Sequence, residues 1–200
     1  DKGYAFSVAW GSATETDDLE GEVTATSDIR PSEAEILAVL PQFIGDIQQA
    51  PPVYSALKVA GARAYKLARA GQLSALPKRT VTAFELELVG FTENTADFQL
   101  RCGKGFYVRS LARDLGEALG TKAHVIALRR THVGPFGLKQ AISLAILDSM
   151  VDNPHQLLPV LPIDVVLDDI PVLTLSSEQA RFLRQGRFVH MSELYGLNPD

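Results

Sequence analysis

Arg109 and Arg113 stand four residues apart in Gly103-Lys104-Gly105-Phe106-Tyr107-Val108-Arg109-Ser110-Leu111-Ala112-Arg113. One helical turn separates them, so a helix there puts both guanidinium groups on one face. The planar fork of an arginine suits two partners, a buried carboxylate or a phosphate. Gly103 and Gly105 permit close backbone approach and deliver Tyr107 and Arg109 to a strand-to-helix junction, a common place for site residues. An exposed Arg beside a Tyr at the core edge fits the same local pattern, and both readings stay open.

The segment from Pro51 to Gly71 interleaves Lys58, Arg63, Lys66 and Arg69 with Tyr54 and Tyr65. Cations attract phosphates and aromatic faces stack on bases, which is what contact with RNA requires. An amphipathic surface helix over 62–70 with tyrosines at its edge reads equally from the pattern. Leu128-Arg129-Arg130-Thr131-His132 adds a basic pair after an apolar run, with His132 read as a surface group or a phosphate contact. Asp17, Asp18 and Glu20 lie in a Thr-rich loop and read as solvated acids, because no second acidic cluster matches them for metal or glycosidic chemistry.

Tyr4, Phe6, Val8 and Trp10 alternate with small or polar residues, the period of a half-buried strand that Gly11 ends. A short strand is expected over 22–26, and a core-covering helix over 32–43 with Ile36, Leu37, Leu40 and Phe43 on its inner face. Residues 80–89 and 96–102 read as an antiparallel pair with Glu85 and Glu87 on the solvent side. Residues 107–119 read as a helix stopped by Gly120, and 124–128 as a strand. Strands and helices do not alternate regularly, so the expected fold class is α+β with a mixed, largely antiparallel sheet and flanking helices. After about residue 141 the chain turns acidic and Pro-punctuated. A strand over 171–175 and a helix over 176–185 closed by Gly186 suggest the start of a second small module.

Of the 200 residues, 46% are apolar and 22% charged, enough to bury a core. The apolar runs are far shorter than the ~20 residues of a membrane span. Cys102 is the only cysteine and the histidines (His124, His132, His155, His190) are scattered, which excludes an internal disulfide and argues against a structural metal site. The net charge of −5 hides a division: 2 basic and 10 acidic side chains in residues 1–52, 14 and 6 in 53–140, 3 and 8 in 141–200. A basic centre between acidic flanks suits a protein presenting one face to phosphate.

Taken together, Lys2-Gly3-Tyr4, Thr14-Glu15-Thr16-Asp17-Asp18-Leu19-Glu20-Gly21, Pro52-Val53-Tyr54-Ser55-Ala56-Leu57-Lys58, Gly105-Phe106-Tyr107-Val108-Arg109-Ser110-Leu111 and Leu128-Arg129-Arg130-Thr131 resemble the bacterial tRNA pseudouridine synthase B (TruB-type) family over roughly residues 1–136. The resemblance implies an enzyme that converts a uridine in the TΨC loop of tRNA to pseudouridine without metal or organic cofactor; a cytoplasmic location is expected from the single cysteine, and a monomer is expected. The base is extruded, an aspartate attacks, and the glycosidic bond from N1 is broken and remade to C5. By motif, Tyr4 would stack on the flipped base, Arg109 would pair with the aspartate, and Tyr107 and Leu128 would line the pocket. Lys58, Arg63, Lys66 and Arg69 would grip the tRNA T-arm from an insertion at about 53–79. The domains implied are a partial catalytic domain over 1–165 and an incomplete RNA-binding module over 166–200.

The family carries its aspartate in a Gly-x-Leu-Asp-Pro type motif placed before the Lys2-Gly3-Tyr4 block, and residues 1–200 contain no such motif. The chain opens within a strand without Met and reads as a fragment expected to be inactive alone. The rival reading is a non-catalytic protein that recognises an RNA hairpin. A small-molecule enzyme has little support, since no nucleotide loop, metal set or nucleophile triad can be assembled.

Overall fold

The computed structural model describes residues 1–59, 61–73, 75–151, 160–167, 170 and 172–189. The chain divides into two compact units, Asp1–Ala141 and Ile142–Asp200.

In the first unit the alternating aromatic and apolar residues form β1 (Lys2–Trp10), followed by β2 (Ser12–Thr14) and β3 (Val23–Thr26), a small antiparallel ribbon around the acidic turn. α1 (Glu33–Val39) starts at a capping box, Ser32 and Glu35 satisfying each other's backbone, and tightens into a 3-10 turn at Leu40–Phe43. Then come β4 (Gly45–Gln49), β5 (Lys58–Val59), β6 (Ala62–Arg63), α2 (Ala64–Arg69), β7 (Arg79–Phe91), β8 (Thr95–Cys102), α3 (Val108–Ala118), β9 (Ala123–Val133) and β10 (Phe136–Gly137). The second unit contains α4 (Leu144–Val151), a 3-10 turn at Ile163–Val166 and α5 (Ser177–Arg184), whose Ser176–Gln179 capping box and Gly186 stop match the expected helix.

Six strands make one sheet in the order β10-β9-β1-β8-β7-β4, every neighbouring pair antiparallel. This is the expected α+β class. Phe6 faces Phe98 across β1 and β8 with the rings stacked 5.2 Å apart, and Val8 faces Ala96. α3 lays Val108, Leu111, Ala112 and Leu115 on this apolar face, the i, i+3, i+4, i+7 stripe of a core helix. Cys102 lies in the same core, and burial pushes its thiol up to about 11, which removes it as a nucleophile at neutral pH.

The structure corrects several boundaries. Leu37 is 50% exposed, and Val39 takes its place in the core with Ile36 and Leu40. β4 has only Ile47 as a branched apolar residue, so it carries no readable alternation, yet it pairs from Gly45↔Ala83 to Gln49↔Arg79 along the sheet edge. β9 continues to Val133 because β1 offers a partner as far as Lys2. The helix expected over 62–70 is shorter, since Ala62 and Arg63 pair with Val59 and Lys58 and Gly61, at φ +87°, turns the chain before α2. A bulge between Ala83 and Glu85 shifts β7 by one residue, which exposes Phe84 and still leaves Glu85 and Glu87 outward. No strand forms over the described part of 171–175, where Thr174 alone is a bridge residue; so short an apolar run does not specify a partner strand. Pro171 and residues 190–200, with His155 and His190, lie outside the described residues.

Gly116 lets α3 sit against the start of β9: a Cβ there would lie 2.9 Å from the Ala123 backbone nitrogen and 2.8 Å from its Cβ. Helix propensity favours Gly116→Ala by ~1 kcal/mol, but overpacking costs ~1–3 kcal/mol, so a net loss on the order of 1 kcal/mol is expected. Thermal unfolding of the variant checks this, and an unchanged or raised Tm contradicts it.

Candidate functional site

The N-terminus of α3 is held from outside the helix. Tyr107, its N-cap, makes no side-chain cap; instead the Tyr107 N–H donates to Oε1 of the buried Gln49 at 2.8 Å. Ser110 Oγ donates to the Ala50 carbonyl at 2.8 Å, which fastens the first turn to the chain leaving β4. Gly105, at φ +84°, bends the chain into the helix, and Arg79 Nη2 donates to its carbonyl at 3.0 Å. The Arg79 guanidinium lies 5.3 Å from the centroid of the Tyr107 ring.

This anchoring aims Arg109 and Arg113 at the acidic turn. Arg109 Nη1 donates to Asp18 Oδ2 at 3.0 Å and to the Thr16 carbonyl at 2.9 Å, while Nη2 donates to the Tyr54 carbonyl at 2.9 Å. Of its five N–H donors, three thus have acceptors among the described residues. One turn on, Arg113 Nη1 donates to Asp17 Oδ2 at 3.0 Å, Nη2 to the Ala50 carbonyl at 2.9 Å, and Nε and Nη2 to Asp114 Oδ1 at 3.0 and 2.9 Å. The expectation of solvated acids is therefore corrected: the side chains of Asp17 and Asp18 are only 14% and 22% exposed, because the arginines of α3 draw the turn inward.

The turn itself is preorganised. Asp17 adopts φ +61°, the left-handed region that Asp tolerates better than most residues, and its carbonyl accepts from Val125 N–H of β9 at 3.0 Å. Thr14 Oγ1 donates to the Asp18 carbonyl at 2.6 Å; Thr16 Oγ1 and the Glu20 N–H donate to Asp18 Oδ1 at 2.5 and 3.0 Å.

Above these groups opens a cleft of about 560 Å³. Asp18 and Arg109 line it, with Leu128 from β9 and Tyr54, Tyr65 and Arg69 from the basic segment. Tyr54 donates its hydroxyl to Glu15, and the Arg69 guanidinium lies 5.8 Å from the Tyr65 ring centroid. Such a site offers a fixed cation–carboxylate pair, aromatic surface and an apolar wall.

Of the residues singled out from sequence, the cleft gathers Arg109, Leu128, Arg69, Tyr54 and Tyr65. Lys58, Arg63 and Lys66 sit exposed on β5, β6 and α2, with Arg63 Nη1 donating to the Ala56 carbonyl at 2.7 Å. Tyr107 is turned toward Arg79 and does not line the cleft. Tyr4 lines a separate hollow of about 210 Å³ with Glu85, Arg101 and His132, the Arg130 guanidinium 5.5 Å from its ring centroid. Sequence reasoning misread Asp17 and Asp18 as solvated, and it missed Gln49 and Arg79. The signal for the first two was present: two adjacent acids in the loop and two arginines one turn apart in the helix. Among the described residues no group of three or more His, Cys, Asp or Glu could hold a metal ion, and no helix is long and apolar enough to cross a membrane.

Burial raises the pKa of Asp17 above its ordinary 3.8, outweighing the pull of Arg113 and Arg109; burial likewise raises Asp114 despite Arg113. A carboxyl whose folded pKa is raised contributes stability that is fully present below the unfolded value and lost as pH rises through the folded one. The stability of the wild-type chain relative to Asp17→Asn is therefore expected to fall as pH rises from about 3 to about 7. Urea unfolding across that range measures it, and a difference that grows with pH contradicts it.

Comparison with known proteins bears on these same segments. Residues 1–108 match the family model described as TruB family pseudouridylate synthase (N terminal domain), and residues 109–168 match the tRNA pseudouridylate synthase B C-terminal domain. The chain is 47% identical over 194 residues to tRNA pseudouridine synthase B of Bradyrhizobium diazoefficiens, covering 94% of this chain and 56% of that protein. Against the protein of the same name from Gluconacetobacter diazotrophicus it is 47% identical over 201 residues, covering 100% and 66%. The chain thus spans less than two thirds of the length of these relatives. Among solved structures, a Cbf5-Nop10-Gar1 complex matches with a TM-score of 0.66 at 22% identity, covering 92% of this chain and 48% of that one. An H/ACA RNP bound to a substrate RNA containing 2'-deoxyuridine matches with a TM-score of 0.63 at 19% identity, covering 94% and 48%. These two likenesses are of fold. With one family model covering more than half of the chain, including the acidic turn, the basic segment and the approach to α3, the chain belongs to the TruB family of pseudouridylate synthases.

Proposed function

We propose that the protein is a tRNA pseudouridine synthase, which isomerises a uridine in the TΨC loop to pseudouridine without a cofactor. The observation that carries this reading is Arg109, fixed on three acceptors in the lining of an open cleft, with two of its five N–H donors left without an acceptor among the described residues. A reacting aspartate bonded to those donors would be held ionised and oriented, since an adjacent guanidinium favours the charged carboxylate. The target base would be flipped out of the loop, because its reacting atoms are hidden in the folded T-arm. The aspartate would then attack the ribose or the base and the C1′–N1 bond would break; the base would rejoin C1′ through C5, the bond to the aspartate would be released, and loss of the C5 proton with protonation of N1 would complete the isomerisation. Leu128 would supply an apolar wall, with Tyr4 and Tyr107 meeting the base once RNA is bound. Membership of the TruB family, and the name tRNA pseudouridine synthase B carried by relatives 47% identical, support this assignment.

Lys58, Arg63, Lys66 and Arg69 would bind the backbone of the T-arm; their exposure on β5, β6 and α2 beside the cleft supports this. In the same reading residues 1–165 form the catalytic part and 166–200 the start of an RNA-binding module. In this reading the attacking aspartate would come from a Gly-x-Leu-Asp-Pro type sequence, a motif that residues 1–200 do not contain.

The protein encoded by the complete gene is expected to form pseudouridine in a tRNA T-arm hairpin, and its Arg109→Ala variant to lose at least ~100-fold in kcat. Absence of pseudouridine with the wild-type protein would overturn the reading in favour of a binding protein. Replacing Lys58, Arg63, Lys66 and Arg69 together by Ala is expected to weaken hairpin binding and to flatten its salt dependence by ~0.7–0.9 per lost phosphate contact. An unchanged salt slope contradicts the contact assignment.

A further inference from the structure

Arg113 and Asp17 do not line the cleft, yet they form the second of two parallel ion pairs between α3 and the acidic turn, the one with the better-buried carboxylate. The two pairs are built by adjacency on both sides. On the helix, Arg113 follows Arg109 by one turn; on the loop, Asp17 immediately precedes Asp18. Asp17 sits in the left-handed region, at φ +61°, which costs a non-glycine residue free energy and persists only where surrounding contacts impose it. Three contacts on Asp17 do so here: the Arg113 guanidinium on its carboxylate at 3.0 Å, the Val125 N–H on its carbonyl at 3.0 Å, and its own N–H on the Thr14 carbonyl at 3.2 Å; of these only the first is made by a side chain and can be removed by substitution.

Arg113 is in turn fixed independently of the turn, by the Ala50 carbonyl and by Asp114 on its own helix. A rigid donor therefore meets a strained acceptor. If that contact were lost, Asp17 could relax toward ordinary backbone angles, and rotation at residue 17 would carry Asp18 away from Arg109. The Thr16 carbonyl, also on Arg109, lies on the other side of the same residue and would shift with it.

We propose that Arg113 and Asp17 are positioning residues: their ion pair locks the acidic turn in the conformation that presents Asp18 and the Thr16 carbonyl to Arg109. This inference rests on the reading of the cleft as a pseudouridine synthase site. The pair touches neither substrate nor reacting atoms and acts through the orientation of the Arg109 guanidinium.

The test uses the protein encoded by the complete gene, with kcat and KM for pseudouridine formation in a T-arm hairpin and a thermal unfolding curve for each variant. Arg113→Gln and Asp17→Asn are each expected to lower kcat about 10- to 100-fold with KM within about threefold, as for a misplaced catalytic group. The double variant should be no slower than the slower single variant, because both changes break one contact. Arg113→Lys, which keeps the charge, should recover part of the kcat lost in Arg113→Gln. Unchanged kcat in folded single variants, losses that multiply in the double variant, or a rise in KM alone would overturn the proposal. A wild-type protein without activity, or an Arg109→Ala variant that keeps it, would instead overturn the reading on which the proposal stands.

Discussion

The guanidinium of Arg109 is the junction on which the cleft depends. It joins three stretches of chain far apart in sequence: the acidic turn through Asp18 and the Thr16 carbonyl, the basic segment through the Tyr54 carbonyl, and α3 on which it stands. Hydrogen bonds to charged groups contribute ~1.5–3 kcal/mol each, and here they also set geometry. A lysine, with one compact ammonium, could not span acceptors presented from different sides in the plane of a fork. The cleft follows from where these three stretches meet.

The rest of the first unit serves to hold that junction still. The antiparallel sheet gives α3 a flat apolar bed, and Leu111 and Leu115 fix its rotation so that positions 109 and 113 face the turn. β4 adds little apolar area, but its last residue, Gln49, caps α3 and the following Ala50 carbonyl receives both Ser110 and Arg113. β9 closes the other side, pinning the turn through Val125 and supplying Leu128 to the cleft. The order of construction thus runs from apolar periodicity to sheet and helix, from these to two aimed arginines, and from the arginines to a buried acidic turn.

How much of this was legible in the sequence depended on the range of the interaction. Alternation at Tyr4, Phe6, Val8 and Trp10 and the helical stripe of 108–115 are local signals, and the central strands and α3 followed from them. Arg109 and Leu128 were singled out, the first by its place at a helix start and the second through family resemblance, and both line the cleft. The acidic turn was misjudged because its burial is imposed by arginines more than 90 residues away, and a loop's own composition does not record its partners. β4 escaped for the same reason, since an edge strand with two glutamines owes its form to the ladder with β7. Arg79 and Gln49 carry no local motif at all; only the β4–β7 register sets them side by side beneath Tyr107.

The most direct test of the account is a crystal structure of the protein encoded by the complete gene, bound to a tRNA T-arm hairpin. It should show the target uridine flipped into the cleft beside Leu128 and a second carboxylate bonded to the donors of Arg109 left over by Asp18, Thr16 and Tyr54. A uridine that stays stacked in its loop, or an Arg109 with no carboxylate but Asp18 while RNA fills the cleft, would contradict it.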